Sequence, residues 1–158
     1  MQKIFTSPIR GHQQRGFTLI EVLITVIILA IGLLGLAGLQ FSGLRFTHSA
    51  YQRSQATILT NDILDRMRVN RRIAENGAYD IALGAAPAAA NCTGLGIDCN
   101  PANMARADLS EWKNAIATML PAGDGSVRRN GSAFVVTIQW NDTRGVGAPI
   151  ELTVESVL

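Results

Sequence analysis

The hydrophobic pattern divides the chain into three parts. A polar stretch through residue 16 is followed by an apolar run, in which residues 22–39 are 18 consecutive positions without a charge. That length is enough for an α-helix to cross the hydrocarbon core of a bilayer. Farther along, apolar residues recur first at helical and then at strand spacing. The pattern therefore predicts a membrane-length helix followed by a single soluble part.

A second helical stretch follows the apolar run. No proline or glycine occurs in residues 47–75, and Asn76-Gly77 then marks the predicted end of the helix. Asp62 and Arg66 are four residues apart and are expected to pair on its solvated side. The apolar positions keep a spacing of three to four residues, which forms one stripe of an amphipathic helix. This stripe consists of Ala56, Leu59, Ile63 and Met67.

Another helix is predicted within the soluble part. Asp108 followed by Glu111 has the form of a capping box, which predicts that the helix begins at Asp108. Pro121 is expected to end it. Its apolar face should consist of Leu109, Trp112, Ile116 and either Met119 or Leu120.

Three strands are predicted after this helix. The first, Ser126–Arg129, leads through Asn130-Gly131, a hairpin turn signal, into a second strand from Phe134 to Trp140 whose alternate residues are apolar. The third strand has its apolar residues at Ile150, Leu152 and Val154. Together these elements predict an α+β fold, in which a three-stranded antiparallel sheet covers the long helix.

Charge is distributed unevenly along the chain. Residues 1–16 carry three bases, Lys3, Arg10 and Arg15, and no acid. The remaining 11 of the 14 bases are balanced by 12 acids, so the rest of the chain is close to neutral. A near-neutral soluble part gives no electrostatic reason to bind nucleic acid, and none is expected among its partners.

The basic N-terminus also predicts an orientation. By the positive-inside rule residues 1–16 stay in the cytoplasm, and the soluble part lies on the other side of the membrane. Cys92 and Cys99 are close together in that soluble part. An even pair of cysteines in an extracytoplasmic domain indicates a disulfide.

No combination of residues indicates catalysis. Neither histidine falls after the predicted helix end at Asn76-Gly77, and no phosphate-binding glycine motif is present. Asp108 and Glu111 are explained as helix-capping residues. Cys92 and Cys99 lack the further Cys or His ligands of a zinc site. We therefore expect no catalytic residues, no metal and no cofactor, and thus a protein that is not an enzyme.

Glu21 is the exceptional residue of the apolar run. A charged side chain in a membrane helix costs about 2.5–3.5 kcal/mol near the centre and less near the end. An acid in this position is therefore expected to have a partner. A secretory signal peptide would have a shorter apolar region and a small-residue cleavage site. A plain signal anchor would fit the length but would leave Glu21 unexplained.

The string Gly16-Phe17-Thr18-Leu19-Ile20-Glu21 resembles the type IV prepilin signal. The resemblance implies that a prepilin peptidase cuts between Gly16 and Phe17 on the cytoplasmic side, and that Phe17 is then N-methylated. It further implies that Glu21 pairs with the N-terminal amine of a neighbouring subunit during assembly. Gly32, Gly35 and Gly38 would let neighbouring helices approach closely.

Several looser motifs are similar to those of the PilV-type minor pilins, the type IV pilus modification proteins. They are Ile31–Ala37, Met67-Arg68-x-Asn70, Asp108-Leu109-x-x-Trp112, Leu120-Pro121-x-Gly123-x-Gly125 and Trp140-Asn141-Asp142. This resemblance implies a minor pilin of Gram-negative bacteria that serves pilus assembly or priming, and hence twitching motility. The implied partners are other minor pilins, the major pilin, the prepilin peptidase and N-methyltransferase, and inner-membrane lipid before assembly.

The resemblance to pilins implies the type IV pilin fold and four segments. These are a cytoplasmic leader (1–16) that is removed, a transmembrane and filament-core helix (17–41), its amphipathic continuation (42–76) and a globular periplasmic head (77–158). Such a protein spans the inner membrane once, with its N-terminus in the cytoplasm, and later enters the filament.

Two other functions are compatible with the same residues. A minor pseudopilin of a type II secretion system shares the signal, the long helix and the small head. A subunit at the pilus tip could instead bind DNA or a surface through Arg128, Arg129 or the cysteine loop.

Overall fold

The first helix, α1, runs from Leu19 to Val69 in a computed structural model that describes residues 16–90, 92, 99–142 and 147–158. Its most apolar part has a mean hydropathy of 2.8, so by length and composition α1 could span a membrane. The chain divides into two compact units, one ending at Leu44 and the other running from Arg45 to Leu158. The predicted helix through the apolar run is confirmed.

The helical stretch is interrupted at Asn70, before its predicted end. Asn70 leaves helical geometry, with φ −110° and ψ 37°, and its side chain donates a hydrogen bond of 2.7 Å to the Pro101 carbonyl. This bond connects the end of α1 to a residue 31 positions later in the chain. A short helix, α2, follows over Arg71–Glu75 and ends at Asn76, with Gly77 at φ 83°. The predicted stop at Asn76-Gly77 is therefore confirmed, but the predicted continuity before it is wrong.

Helix α3 spans Pro101–Met119 and begins earlier than predicted. Asn100 is its N-cap, with a side chain that accepts a hydrogen bond of 2.9 Å from the Asn103 backbone N–H. Proline in the first turn suits the helix start, and the alanine-rich segment that follows favours helix. Asp108 therefore lies inside α3, and the prediction that it caps the helix is wrong.

A three-stranded antiparallel sheet follows α3, in the order β1-β2-β3, as predicted. Its strands are β1 (Asp124–Asn130), β2 (Ala133–Trp140) and β3 (Ile150–Ser156). Because Asn130 pairs with Ala133, the two turn residues are Gly131 and Ser132, one position later than predicted. Gly131 has a φ of 62°, which glycine adopts without strain.

The core of the head is built from one face of each element. The predicted stripe of α1 is buried, with at most 4% of each residue exposed. On α3 the predicted face is also buried, and it is completed by Leu120, whereas Met119 is 52% exposed. The apolar residues of β2 complete the core: Phe134, Val136, Ile138 and Trp140. The predicted α+β architecture of the head is confirmed.

Arg66 connects α1 to α3 through charged hydrogen bonds. It pairs with Asp62 one turn earlier at 3.1 Å, as predicted, and also with Asp108 at 3.1 Å and Glu111 at 2.8 Å on α3. The other oxygen of Asp108 accepts a hydrogen bond of 2.6 Å from the Tyr79 hydroxyl. The two carboxylates predicted to cap a helix therefore act as partners of a half-buried arginine.

The surroundings of this cluster favour its observed protonation states. Burial opposes the charge of Arg66, but its hydrogen bonds to Glu111 and Asp108 and the charge of Asp62 outweigh that effect and raise its pKa. Burial, together with the hydrogen bond to Asp108, raises the pKa of Tyr79. Arg66 therefore stays charged and Tyr79 stays neutral at physiological pH.

Trp112 occupies the space between α1 and the sheet. Its ring is fully buried, and its Nε1–H donates a hydrogen bond of 2.8 Å to the Leu59 carbonyl of α1. On the side of β1 the ring lies against Gly125, where an added Cβ would be 2.4 Å from the Trp112 ring and 2.6 Å from Ile116 Cδ1. Only glycine fits at this position of the strand without displacing the core.

Replacing Gly125 with alanine should destabilise the head. A methyl group forced into a filled core typically costs about 1–3 kcal/mol. Denaturant unfolding of the full chain in detergent, followed by tryptophan fluorescence, measures this change. Ser126→Ala, on the opposite face of the same strand, is the control and should stay within about 0.5 kcal/mol of wild type. Equal stability of Gly125→Ala and Ser126→Ala would contradict the packing described here.

A second ion pair fixes the segment that leads from α2 to the disulfide loop. Lys113 pairs with Asp124 at 2.9 Å and also donates to the carbonyls of Ala82 and Ala85, at 3.0 and 2.8 Å. Asp124 accepts a further hydrogen bond from the Gly84 N–H. Burial alone would raise the pKa of Asp124, but the bonds from Gly84 and Lys113 outweigh it and lower the pKa.

Acid should therefore weaken the head in part through Asp124. A carboxylate with a lowered folded pKa contributes stability above its unfolded pKa, and this contribution is lost as the pH falls through the folded pKa. We expect Asp124→Asn to flatten the pH dependence of the free energy of unfolding below about pH 4. Lys113→Met removes the partner and should flatten it in the same range. Unchanged slopes in both variants would contradict this assignment.

Candidate functional site

The N-terminal segment enters α1 through a capping arrangement. Residues 16–18 precede the helix, so Thr18 is the N-cap and Glu21 is the third helical residue. The Glu21 N–H lies 3.1 Å from the Thr18 carbonyl and 3.4 Å from its Oγ1. A threonine at the N-cap with a glutamate three positions later is the capping-box pattern. Glu21 therefore lies in the first turn, where the helix dipole favours a negative charge.

Glu21 has no counter-charge within the part of the chain that the structure describes. Its side chain makes no hydrogen bond or ion pair to any described residue, and it is exposed. Phe17, four residues earlier, is also exposed, with 85% of its surface accessible. The sequence signal for Thr18 as the cap is the capping-box spacing from Thr18 to Glu21, which the sequence analysis did not use.

The apolar half of α1 is exposed along its whole length. None of its most apolar window is buried, and its large side chains are at least half exposed. A contiguous apolar surface of this size in a protein marks a membrane or protein contact. An added Cβ at Gly32, Gly35 or Gly38 would have no neighbour within 4 Å. These glycines therefore leave open helix surface at which another helix could approach closely.

The head contains the predicted disulfide. Cys92 and Cys99 are bonded, with their Cα atoms 5.2 Å apart. The residues between them, 93–98, lie outside the described part of the chain. Cys99 precedes Asn100, the N-cap of α3, so the bridge closes its loop directly before that helix.

Removing the bridge should destabilise the head moderately. A disulfide that closes a loop of this size stabilises a protein by about 2–3 kcal/mol in the chain-entropy description. We expect Cys92→Ser/Cys99→Ser to lower the free energy of unfolding by that amount, with a normal folded far-UV spectrum. Reductant should shift wild type to the level of the double variant and leave the variant unchanged. Equal stability of the oxidised and reduced wild type would contradict a stabilising role.

The arginines considered for ligand binding have different roles in the structure. Arg129 donates hydrogen bonds to the Gly131 and Glu75 carbonyls, so its guanidinium supports the hairpin and the end of α2. Arg128 lies exposed on β1, with its side chain on the solvent face of the sheet. Part of the Arg129 guanidinium is therefore already engaged within the head.

The structure adds two residues that the sequence did not single out as partners, Tyr79 and Asn70. Tyr79 is fully buried and shares Asp108 with Arg66, and Asn70 connects the end of α1 to α3. A lone asparagine or tyrosine near a helix end carries no sequence signal for such a contact. Among residues 16–90, 92, 99–142 and 147–158, no group of three or more His, Cys, Asp or Glu side chains is placed to hold a metal ion.

Comparison with known families gives two consecutive matches along the chain. Residues 11–37 match the prokaryotic N-terminal methylation motif, and residues 38–110 match the Tt1218-like family, type IV pilin Tt1218. No curated protein and no solved structure gives a significant match. The methylation motif covers Gly16, Phe17 and Glu21, and the pilin match extends through α2 into α3. The chain is thus similar to type IV pilins over residues 38–110, carries a prokaryotic N-terminal methylation motif at residues 11–37, and has the fold of a type IV pilin.

Proposed function

We propose that this protein is a minor pilin, of the PilV type, that takes part in assembling or priming a type IV pilus. The observation that carries the proposal is Glu21: an acid in the first turn of an exposed apolar helix, without a partner among the described residues. Such a charge is unfavourable in an apolar layer unless a counter-charge is supplied. A pilin precursor acquires that counter-charge when it is processed.

Processing would occur between Gly16 and Phe17. Residues 16–18 lie ahead of the helix, so the bond is not part of a helical hydrogen-bond ladder. Cleavage there would remove residues 1–16 with all their bases and leave a new ammonium on Phe17. N-methylation of that amine retains its positive charge. The new charge stands four residues before Glu21.

Assembly would then pair Glu21 with the Phe17 amine of a neighbouring subunit. A buried ion pair contributes little net stability, but breaking it by removing one partner leaves an uncompensated charge. The pair would therefore fix the position of one helix along its neighbour. The exposed glycines at 32, 35 and 38 support close helix packing in the same region.

The remaining assignments follow from charge and redox chemistry. The bases of residues 1–16 would hold the N-terminus in the cytoplasm, residues 17–41 would cross the inner membrane, and the head would face the periplasm. A disulfide in the head is compatible with that oxidising compartment. Residues 42–76 would carry the head outward from the filament core, and 77–158 would present it. The partners proposed are the prepilin peptidase and N-methyltransferase, the major pilin and other minor pilins.

Replacing Glu21 with alanine should separate processing from assembly. We expect the leader to be removed normally, so that mass spectrometry finds Phe17 as the methylated N-terminus. Incorporation into sheared filaments should fall by about tenfold or more, because the amine of the neighbour would be buried without a partner. Immunoblots of sheared filaments and membranes measure both quantities.

Asp65→Ala is the matched control for this experiment. Asp65 is an exposed acid on α1 that pairs with Arg68, and its loss should leave incorporation near wild type. Normal incorporation of Glu21→Ala would contradict the pairing. A mature protein that still begins at Met1 would contradict the processing step. Intact pili together with failed protein secretion in a deletion strain would favour a pseudopilin instead.

A further inference from the structure

One edge of the sheet is closed by a neighbouring segment. Ile81 and Val127 exchange backbone hydrogen bonds of 2.9 and 3.0 Å, so the backbone of Val127 faces away from β2. Backbone groups alternate between the two sides along an antiparallel strand. The registers of the two strand pairs carry this alternation from β1 through β2 to β3. The backbone N–H and C=O groups of Ile150, Leu152 and Val154 therefore face β2. Those of Glu151, Thr153 and Glu155 face outward.

The outer edge of β3 is open in the part of the chain that the structure describes. No described strand or bridge pairs with it, and Glu151, Thr153 and Glu155 are exposed. On the core side the coverage is also incomplete: the inward residues of β2 are buried, whereas Ile150, Leu152 and Val154 are only half-buried. Among the described residues, β3 therefore lacks a hydrogen-bonding partner along its outer edge and full cover over its apolar side chains.

Charge determines what kind of strand could fill this place. Glu151 and Glu155 are the only charged residues of β3, and both lie on its solvent face. Glu155 accepts one hydrogen bond from Asn130, of 3.2 Å. If β3 paired antiparallel with β3 of a second copy over its full length, Glu151 would lie opposite Glu155 twice. Like charges directly opposite each other destabilise a strand pair.

We propose that the outer edge of β3 binds an extended segment of a different protein chain, in which Lys or Arg alternates with apolar residues. The apolar residues would complete the cover over Ile150, Leu152 and Val154, and the bases would lie beside Glu151 and Glu155. Main-chain bonds supply affinity and alternate side chains supply specificity in this mode of recognition. The inference goes beyond the proposed function, since it concerns the head and does not depend on leader cleavage.

The test uses the full chain in zwitterionic detergent and a blocked peptide of alternating Lys and Val, as long as β3. A peptide of alternating Glu and Val is the matched control. We expect the basic peptide to bind and to slow amide exchange at Glu151, Thr153 and Glu155. The acidic peptide should bind about tenfold or more weakly.

Three variants test whether the peptide binds at this edge. Thr153→Pro removes an outward N–H without breaking the ladder to β2, a position where proline is tolerated at a sheet edge. It should weaken peptide binding by about tenfold, the effect of one main-chain bond. Thr153→Val also loses the hydroxyl contact to Thr137 but keeps the N–H, and it should bind like wild type. Glu151→Lys/Glu155→Lys should reverse the preference between the two peptides.

Several outcomes would overturn the inference. Equal binding of both peptides by wild type would show that β3 has no charge preference. Unchanged binding by Thr153→Pro, with its tryptophan near-UV spectrum intact, would place the peptide elsewhere. If Thr153→Pro fails to fold, the charge variant decides: an unchanged preference for the basic peptide in Glu151→Lys/Glu155→Lys would also overturn the inference. Self-association of wild type that slows exchange at Thr153 would show that a second copy occupies the edge.

Discussion

The position of Trp112 determines how the parts of the head fit together. Its indole nitrogen is bonded to a carbonyl of α1, its own helix is α3, and its ring fills the space that a side chain at Gly125 would need on β1. A helix, a second helix and a strand are therefore held at fixed distances by one side chain. The charged contacts of Arg66 lie at the border of this core, where they orient α3 on α1 but leave the apolar packing to set the spacing.

The two halves of α1 illustrate how one helix can meet two environments. The half before Leu44 is apolar on every side and buries none of its large side chains, whereas the half in the head buries a single stripe. The first half leaves its apolar surface uncovered in the part of the chain that the structure describes, and the second half covers its stripe within the head. The N-terminal methylation motif falls within the first half, and the type IV pilin match begins near the end of that half and extends into the head.

Much of this could be predicted from the sequence, because the signals were local. Apolar spacing identified the buried stripe of α1, the face of α3 and the alternation of β2, and the glycine-to-glutamate string located the helix start. The mistakes arose where a contact was distant in sequence. Asp108 resembled a helix cap because nothing nearby revealed Arg66 and Tyr79 as its partners, and Asn70 gave no sign of its bond to Pro101. The need for glycine at 125 was likewise invisible, since it arises from a ring on another element.

The disulfide between Cys92 and Cys99 affects how freely the sequence between the two cysteines can change. Because the bond between Cys92 and Cys99 keeps the loop closed in the unfolded chain as well, folding of the oxidised protein does not have to bring its two ends together. The loop is further isolated by Lys113 on one side, which fixes Ala82 and Ala85, and by the Asn100 cap on the other. A longer or different sequence between the two cysteines would therefore add little loop-closure cost to the folding of the oxidised chain. An epitope or a fluorescent label inserted between Cys92 and Cys99 should thus cost the oxidised head little stability through loop closure.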